Sequence, residues 1–226
     1  MIIISGDIPE DKFYEQRQKM IETQLKSRGI ENEKVLKAFL DVPRHKFVPD
    51  HLKEKAYEDR PLPIGEGQTI SQPYIVAEMI SALAPESKDK VLEVGCGSGY
   101  AAAILAQIVN KVYGLERIKA VAEQAKKNIA FLKYENIEIE LGDGTKGWPE
   151  AAPYDGILVS AAAPDIPDSL LKQLKTGGYM CIPVGGGNSQ KLLQIKKIDE
   201  NEIEKKNLGS VRFVPLIGEK GWDDRI

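Results

Sequence analysis

A glycine-rich segment over residues 92–100, with the sequence LEVGCGSGY, is the strongest chemical signal in this chain. It follows a predicted buried strand and opens a predicted helix. A nucleotide lying across such a turn needs backbone without Cβ atoms for close approach, and free amide groups at the helix N-terminus. Gly95, Gly97 and Gly99 supply both, so the segment predicts a nucleotide-binding turn rather than a simple tight bend.

The same segment favours one kind of nucleotide. The nicotinamide and flavin fingerprint places glycines at its first, third and sixth positions, and the sixth position counted from Gly95 is Tyr100. Glu93 would also lie close to the pyrophosphate of a dinucleotide and repel it. Both departures favour S-adenosylmethionine, which has an adenosine, no phosphate, and positive ammonium and sulfonium groups.

Two further acids follow the next two predicted strands. Glu116 comes about 20 residues after Gly95, where an acid accepts both ribose hydroxyls. Asp143 follows the third strand, at the edge of the sheet where open α/β folds bind ligands. Each acid also fits a simpler interpretation, a surface carboxylate for Glu116 and a turn residue for Asp143. Together with the glycines, they predict one cofactor site.

A parallel sheet must position these residues, and the hydrophobic pattern predicts one. Short apolar strands alternate with amphipathic helices, which indicates right-handed crossovers and helices on both faces. The predicted strands are 90–94, 111–115, 137–141, 154–160 and 179–184, and the predicted helices are 73–83, 99–109, 117–132 and 169–175. Two more strands, 191–198 and 203–214, lie on either side of a polar turn and predict an antiparallel hairpin at one edge.

The N-terminal third has a different character. Residues 12–56 are predicted to be helical with a break at Gly29, apart from an ordered loop over 42–49. Residues 61–72 contain two prolines and two glycines and predict a long, functional loop. We expect one domain over 1–226, in which 1–72 form a helical and loop layer and 73–226 form the cofactor-binding core and the C-terminal hairpin.

Composition excludes several classes of protein. The 226 residues carry 31 Lys and Arg against 34 Asp and Glu, a net charge of −3 that does not favour a nucleic-acid partner. No apolar run approaches the roughly 20 residues of a membrane span, so we expect no membrane partner and a cytoplasmic protein. Cys96 and Cys181 are too few for a disulfide framework or a cysteine-based zinc site, and His45 and His51 are expected to pack or to lie at the surface. We therefore predict no metal site.

Several stretches resemble the protein-L-isoaspartate O-methyltransferases, a family of class I S-adenosylmethionine-dependent methyltransferases. The similarity extends from roughly Met20 to Gly218, and QTISQP and RFVPL look diagnostic of the family rather than of the fold. The stretches are VPRHKFVP at 42–49, GQTISQP at 67–73, the glycine-rich segment, GDG at 142–144, APYD at 152–155 and VRFVPL at 211–216. Cys96 stands where many members carry Thr, a change that leaves a backbone turn intact.

The resemblance implies a Rossmann-like, doubly wound α/β fold with a seven-stranded, mostly parallel sheet whose last pair is antiparallel. It implies that Ser71 lies at the active site and that the loops over 64–72 and 211–216 hold an isoaspartyl peptide, so that residues 1–72 are a substrate layer. The residues expected to bind substrate are Ile64, Thr69 and Val214, and those expected to bind S-adenosylmethionine are Glu93, Gly95, Gly97, Gly99, Glu116, Asp143 and Gly144. The implied partners are isoaspartyl-containing proteins and peptides, whose repair the methylation initiates, and we expect a monomer.

In the implied reaction, the α-carboxylate of an isoaspartyl residue attacks the methyl carbon of a sulfonium. That carboxylate is already ionised at neutral pH, so no general base is required. We therefore expect Ser71 to position and polarise the carboxylate rather than to form a covalent intermediate. Capping the helix that begins at Pro73 is an alternative role for its hydroxyl.

Two other functions remain open at this point. The first is a class I methyltransferase for a small molecule or an RNA base, which the acidic charge and the sequence SAAA at 160–163 do not favour. The second is a nucleotide-binding module without catalysis, which the intact substrate-loop motifs do not favour. Arg44 and Arg212 fit two interpretations equally well, neutralising a substrate carboxylate or forming a structural pair.

Overall fold

The computed structural model describes residues 13–187 and 189–223. Six α-helices and nine strands lie within these residues. In chain order they are α1 (Tyr14–Met20), α2 (Glu33–Asp41), β1 (Leu62–Gly65), β2 (Gln68–Ile70), α3 (Pro73–Ala82), β3 (Lys90–Val94), α4 (Tyr100–Ala106), β4 (Lys111–Glu116), α5 (Lys119–Phe131), β5 (Ile137–Leu141), β6 (Tyr154–Val159), α6 (Asp168–Gln173), β7 (Leu174–Val184), β8 (Gln190–Lys197) and β9 (Ile203–Val211). Residue 12 and the rest of the N-terminal extension lie outside the described part.

The sheet contains seven strands in the order β5-β4-β3-β6-β7-β8-β9. Strands β3 to β7 pair in parallel, and β8 and β9 add to the edge antiparallel to their neighbours. The prediction of a Rossmann-like, mostly parallel sheet with a C-terminal hairpin is therefore confirmed. Because the chain runs from β3 first toward β5 and then back to β6, a crevice forms at the carboxyl ends of β3, β4 and β6.

Helices cover both faces of this sheet. On one face, buried side chains of α3 and α4 pack with those of the N-terminal layer, where the rings of Phe39 and Phe47 meet the ring of Tyr100 edge to face. On the other face, the apolar side chains of β3 and β6 pack against α6. The N-terminal layer is thereby fixed over the beginning of α4. No helix within 13–187 and 189–223 is long and apolar enough to cross a membrane.

Gly29 ends the first helical segment with a φ of 89°, as predicted, because a left-handed residue stops helix propagation without the steric cost of a Cβ. Before it, α1 continues through a π-helical turn and a 3₁₀ turn. The second helix begins at Asn32, whose side chain accepts hydrogen bonds from the amides of Lys34 and Val35. Two 3₁₀ turns, over 44–46 and 50–55, complete the layer.

The prediction of an irregular loop over 61–72 is wrong, because β1 and β2 form an antiparallel hairpin there. Its tip is left-handed at Gly65, Glu66 and Gly67, which explains the glycines. Pro63 has no backbone N–H and cannot donate a hydrogen bond to a neighbouring strand. It is accepted here because β1 pairs on one side only.

The start of β7 also differs from its prediction. The strand begins at Leu174, and not at Tyr179, and the preceding helix ends at Gln173. The sequence predicts a helix to Lys175 and the next strand only from Tyr179, whereas Gly177 and Gly178 lie inside β7. A Cβ at Gly178 would lie 2.7 Å from the carbonyl oxygen of Asp155, so glycine lets the neighbouring strand approach at this point.

Candidate active site

The glycine turn, residues 95–99, joins β3 to α4 at the crevice. Gly95, Gly97 and Gly99 have φ values of 76°, 54° and 85°, a left-handed conformation that explains why these positions lack a Cβ. The amides of Gly95 and Cys96 both donate to the carbonyl of Leu115, at 2.8 and 3.1 Å. The turn is therefore held against the end of β4, the strand that carries Glu116.

Gly97 and Gly99 face different neighbours. A Cβ at Gly97 would lie 3.5 Å from Cδ1 of Ile64 on the hairpin, so Ile64 covers the turn. At Gly99 the corresponding space is filled by Ile129 of α5, at 3.3 Å. Gly97 therefore lies beneath the hairpin, whereas Gly99 closes the turn against a helix.

Glu116 lies at the end of β4 with its carboxylate directed at the glycine turn. Its Oε2 accepts a hydrogen bond of 3.1 Å from the amide of Gly97, and its Oε1 accepts one of 3.0 Å from the amide of Ile118. The residue is buried. The surface-carboxylate interpretation of Glu116 is therefore wrong, and its carboxylate faces the glycine turn.

Glu93, near the carboxyl end of β3, is the most unusual group of the site because it is 1% exposed and has no cationic partner in the described part of the chain. Its Oε1 accepts a hydrogen bond of 3.2 Å from the Ser160 hydroxyl, and its Oε2 has no hydrogen-bond partner among the described residues. Burial raises the pKa of Glu93 to about 8, and the negative charge of Glu116 adds to the shift while the Ser160 hydroxyl opposes it. Such a buried acid suits a ligand that brings a cation or a hydrogen-bond donor.

A small cavity of about 40 Å³, here called the acceptor cavity, brings the hairpin and the glycine turn together. Its lining comes from the hairpin end, α3, β3, the turn, α4 and the end of β6. The lining residues are Thr69, Ile70, Ser71, Val76, Glu93, Gly95, Cys96, Gly97, Ser98, Tyr100, Ala101 and Ser160. Five residues singled out in the sequence, Thr69, Ser71, Glu93, Gly95 and Gly97, therefore line one space.

Ser71 is half-buried and does not cap the following helix. The N-cap of α3 is Gln72, without a capping hydrogen bond from a side chain. The Ser71 hydroxyl makes no hydrogen bond to any residue between 13 and 187 or 189 and 223, whereas its carbonyl accepts one of 2.8 Å from Nη2 of Arg44. The capping interpretation is therefore wrong in this structure, and the hydroxyl has donor capacity toward the cavity it lines.

Asp143 lies further along the crevice and caps a 3₁₀ turn. Its Oδ1 accepts hydrogen bonds from the amide and the hydroxyl of Thr145, at 2.9 and 2.6 Å, and its Oδ2 accepts one of 2.9 Å from the amide of Glu219. Burial alone would raise the pKa of Asp143, but the donors from Glu219 and Thr145 outweigh it, so that the pKa is lowered. Asp143 therefore stabilises a turn, as its simpler interpretation predicts, and it also lines a depression in the crevice, while its contact with a cofactor stays a prediction.

A second depression, of about 590 Å³, lies at Asp143. It is lined by Arg117, Leu141, Gly142, Asp143, Ile217, Gly218, Glu219, Gly221, Trp222 and Asp223. Gly144 is buried instead, and a Cβ there would clash with Cγ1 of Val94. The structure thus places Gly142 and Asp143 on this depression and Gly144 behind it.

Val214 belongs to a segment that runs alongside the end of β6. The amide of Ala162 donates to the carbonyl of Val214, and the amide of Leu216 donates to the carbonyl of Ala162, each at 2.8 Å. Nε1 of Trp222 also donates to the carbonyl of Ala162, at 2.9 Å. Residues 214–216 are therefore fixed against Ala162, two residues after Ser160 of the acceptor cavity.

Three polar residues of the site were missed in the sequence. Ser160 could have been found, because it follows a predicted parallel strand at its carboxyl end, the usual place of ligand contacts. Thr145 and Glu219 could not have been found, since they belong to a hydrogen-bond network around Asp143 that joins segments distant in the sequence.

The two histidines lie as predicted for packing and surface residues. His45 is buried against Phe13 with a ring separation of 4.1 Å, and His51 is exposed.

Comparison with known proteins adds a family to this geometry. The family model described as protein-L-isoaspartate(D-aspartate) O-methyltransferase (PCMT) matches residues 15–221. A protein-L-isoaspartate O-methyltransferase of Pelotomaculum thermopropionicum is 56% identical over 215 residues, which are 95% of this chain and 94% of the relative. One of Dictyoglomus thermophilum is 53% identical over 96% of this chain and 97% of the relative.

Two solved structures are similar in fold and in sequence. A protein-L-isoaspartate O-methyltransferase superposes with a TM-score of 0.82 and 30% identity, over 91% of this chain and 67% of the other. A protein of the same description from Plasmodium falciparum, in complex with S-adenosyl-L-homocysteine, superposes with a TM-score of 0.76 and 30% identity, over 89% of this chain and 98% of the other.

Proposed function

The chain belongs to the protein-L-isoaspartate(D-aspartate) O-methyltransferase family, and we propose that its acceptor cavity is where the enzyme transfers a methyl group from S-adenosylmethionine to the α-carboxylate of L-isoaspartyl residues in damaged proteins. The observation that carries this assignment is that Ser71 and the buried acid Glu93 line one cavity with the glycine turn. A donor for an anion and an acid for a cation thus line the same small space, to which the end of the hairpin also contributes.

The residues of the crevice suit S-adenosylmethionine from end to end. Glu93 would accept from the ammonium group, because its Oε2 is buried without a partner in the described part of the chain. Glu116 would accept the ribose hydroxyls, and the depression at Asp143 would take the base. When bound, the cofactor supplies a methyl carbon made electrophilic by the attached sulfonium.

The chain itself has to align the acceptor and exclude water. The acceptor is ionised at neutral pH, so its carboxylate attacks without a base, and the charges of carboxylate and sulfonium cancel in the products. A shielded cavity opposes this charge cancellation less than water does. The Ser71 hydroxyl, a neutral donor, orients the carboxylate without forming the tight ion pair that would make it a poorer nucleophile.

The substrate chain would lie between two walls. One is the hairpin that carries Ile64 and Thr69, and the other is the segment at Val214. Residues 1–72 would then act as the substrate layer over a core formed by 73–226. We also propose that the enzyme acts as a monomer in the cytoplasm and on polypeptides rather than on nucleic acids, in keeping with its net charge of −3.

The test is methyl transfer to a matched pair of peptides. Labelled S-adenosylmethionine is incubated with the protein and two peptides that differ only in an isoaspartyl or a normal aspartyl linkage. We expect labelling of the isoaspartyl peptide alone, as a base-labile ester. Equal labelling of both peptides, or cofactor binding with no transfer to either, would contradict the proposed function.

A further inference from the structure

A fully buried arginine lies directly behind Ser71. Arg44 is 0% exposed, its Nε donates 2.7 Å to the carbonyl of Ala56, and its Nη2 donates 2.8 Å to the carbonyl of Ser71. Its guanidinium carbon lies 4.9 Å from the centre of the Tyr100 ring, another wall of the acceptor cavity. Arg44 therefore holds two elements of the cavity wall, the hairpin end and the first residue of α4.

No carboxylate of the described chain forms an ion pair with Arg44. A buried cation without a counter-ion is costly, since carbonyl dipoles and a ring face replace its hydration only in part. Burial accordingly lowers the pKa of Arg44, while Tyr100 and Tyr57 oppose the shift. The guanidinium stays charged, so it directs an uncompensated positive potential at the Ser71 side of the cavity.

The site also contains acidic side chains, whose charge is opposite to that of Arg44. Glu93 lines the same cavity and bonds to Ser160, and Glu116 bonds to the glycine turn. An incoming acceptor carboxylate would be repelled by Glu116, and by Glu93 once the ammonium group of the cofactor has ionised it, unless a cation stood on its own side. The cavity therefore has an acidic end, suited to a cationic cofactor, and a cationic end at Ser71.

We infer that Arg44 is a positioning residue for methyl transfer, which draws the acceptor carboxylate to Ser71 by its buried charge and fixes the Ser71 backbone by its hydrogen bond. It acts through the cavity wall and does not touch the substrate. This inference rests on the proposed function and adds a preference for the charge of the acceptor. The enzyme should prefer an ionised acceptor over a neutral one of the same shape because of Arg44.

The test separates charge from structure with two ligands. One is an isoaspartyl peptide, and the other is its isoasparagine counterpart, in which a neutral carboxamide replaces the α-carboxylate. Binding of each is measured by calorimetry in the presence of S-adenosylhomocysteine, for the parent and for Arg44→Met and Arg44→Lys. For Arg44→Met we expect the acid peptide to bind about 10- to 50-fold more weakly, with the amide peptide changed by less than about 3-fold.

Arg44→Lys keeps the positive charge but loses the planar set of guanidinium donors. We therefore expect this variant to retain most of the preference for the acid peptide over the amide peptide, while its kcat falls. This variant also serves if Arg44→Met does not fold. Equal weakening of both peptides would mean a purely structural arginine, and an unchanged preference in Arg44→Met, or its loss in Arg44→Lys, would likewise overturn the inference.

Arg28→Met is the matched control. Arg28 also stacks on a tyrosine, at 3.4 Å from the centre of the Tyr74 ring, but it is exposed and pairs with Asp59. We expect it to leave both affinities unchanged. Because the readout is peptide binding, it does not depend on turnover, and a parent enzyme that binds the acid peptide without methylating it would contradict the proposed function and not the role of Arg44.

Discussion

The amide of Gly97 donates a hydrogen bond of 3.1 Å to Oε2 of Glu116, and so the glycine turn and the end of the next strand form one unit. The other carboxylate oxygen accepts from the amide of Ile118, at the entrance to α5. Glu116 therefore organises the turn, and we propose that its remaining lone pairs accept the ribose hydroxyls of the cofactor.

Glu116→Gln should weaken S-adenosylmethionine binding by about 10- to 100-fold, since a hydrogen bond to a charged acceptor contributes about 1.5–3 kcal/mol. The glutamine keeps the shape of the side chain but replaces one acceptor oxygen with a donor that cannot accept from an amide. Calorimetric titration with the cofactor measures the effect. Glu123→Gln, at an exposed position of α5, is the control, and an affinity equal to that of the parent in Glu116→Gln would remove Glu116 from the site.

Gly97→Ala should abolish most cofactor binding, whereas Gly29→Ala should not affect it. Both glycines are left-handed, with φ values of 54° and 89°, so both substitutions carry a backbone cost of about 1–2 kcal/mol. Each should lower the Tm by about 2–8 °C. Only the alanine at 97 adds a methyl group to the turn that the cofactor would contact, on the side covered by Ile64. Equal cofactor affinities for the two variants would contradict this interpretation.

Ser71→Ala should lower kcat by about 10- to 100-fold and leave the affinity for S-adenosylmethionine nearly unchanged, because its hydroxyl orients the acceptor and not the cofactor. Steady-state kinetics with an isoaspartyl peptide measure kcat, and calorimetry measures cofactor binding. Ser27→Ala is the control, because the Ser27 hydroxyl bonds to the carbonyl of Thr23 on an exposed helical segment. Turnover equal to that of the parent would exclude Ser71 from the active site.

The folding stability should depend on pH because of Glu93. Its pKa of about 8 in the folded protein exceeds its ordinary value of 4.5, so between these values the folded chain holds a proton that the unfolded chain has released. The resulting stabilisation is complete below about pH 4.5 and is lost as the pH rises to about 8. Glu93→Gln removes this titration, so its Tm relative to that of the parent should increase over that range. A constant difference in Tm would show that Glu93 is already ionised in the free protein.

Cofactor binding should release a proton from the same group. An ammonium group beside Glu93 favours the ionised carboxylate and lowers its pKa. At about pH 7, the binding enthalpy of S-adenosylmethionine should therefore depend on the ionisation enthalpy of the buffer in the parent and not in Glu93→Gln. Enthalpies independent of the buffer in both proteins would place the ammonium group away from Glu93.

Local sequence patterns were sufficient for much of the fold. The strand over 90–94, the helix stop at Gly29 and the C-terminal hairpin follow from short-range rules of apolar alternation and glycine geometry, which act within a few residues. The same rules misjudged the hairpin at 62–70, because Pro63 is compatible with a strand only where one edge is left without a partner. The number of neighbours of a strand is a property of the whole sheet.

The chemistry of the cofactor site was determined by the sequence itself. Gly95, Gly97 and Glu116 have to meet where parallel strands end, because right-handed crossovers leave them no other arrangement. Only the tertiary structure decided the charges of the site. Whether Glu93 is buried beside Ser160, and whether Arg44 lies behind Ser71 without a counter-ion from residues 13–187 and 189–223, depends on contacts between segments far apart in the chain. Desolvation and Coulomb energies depend on distance in space, which no local pattern of residues encodes.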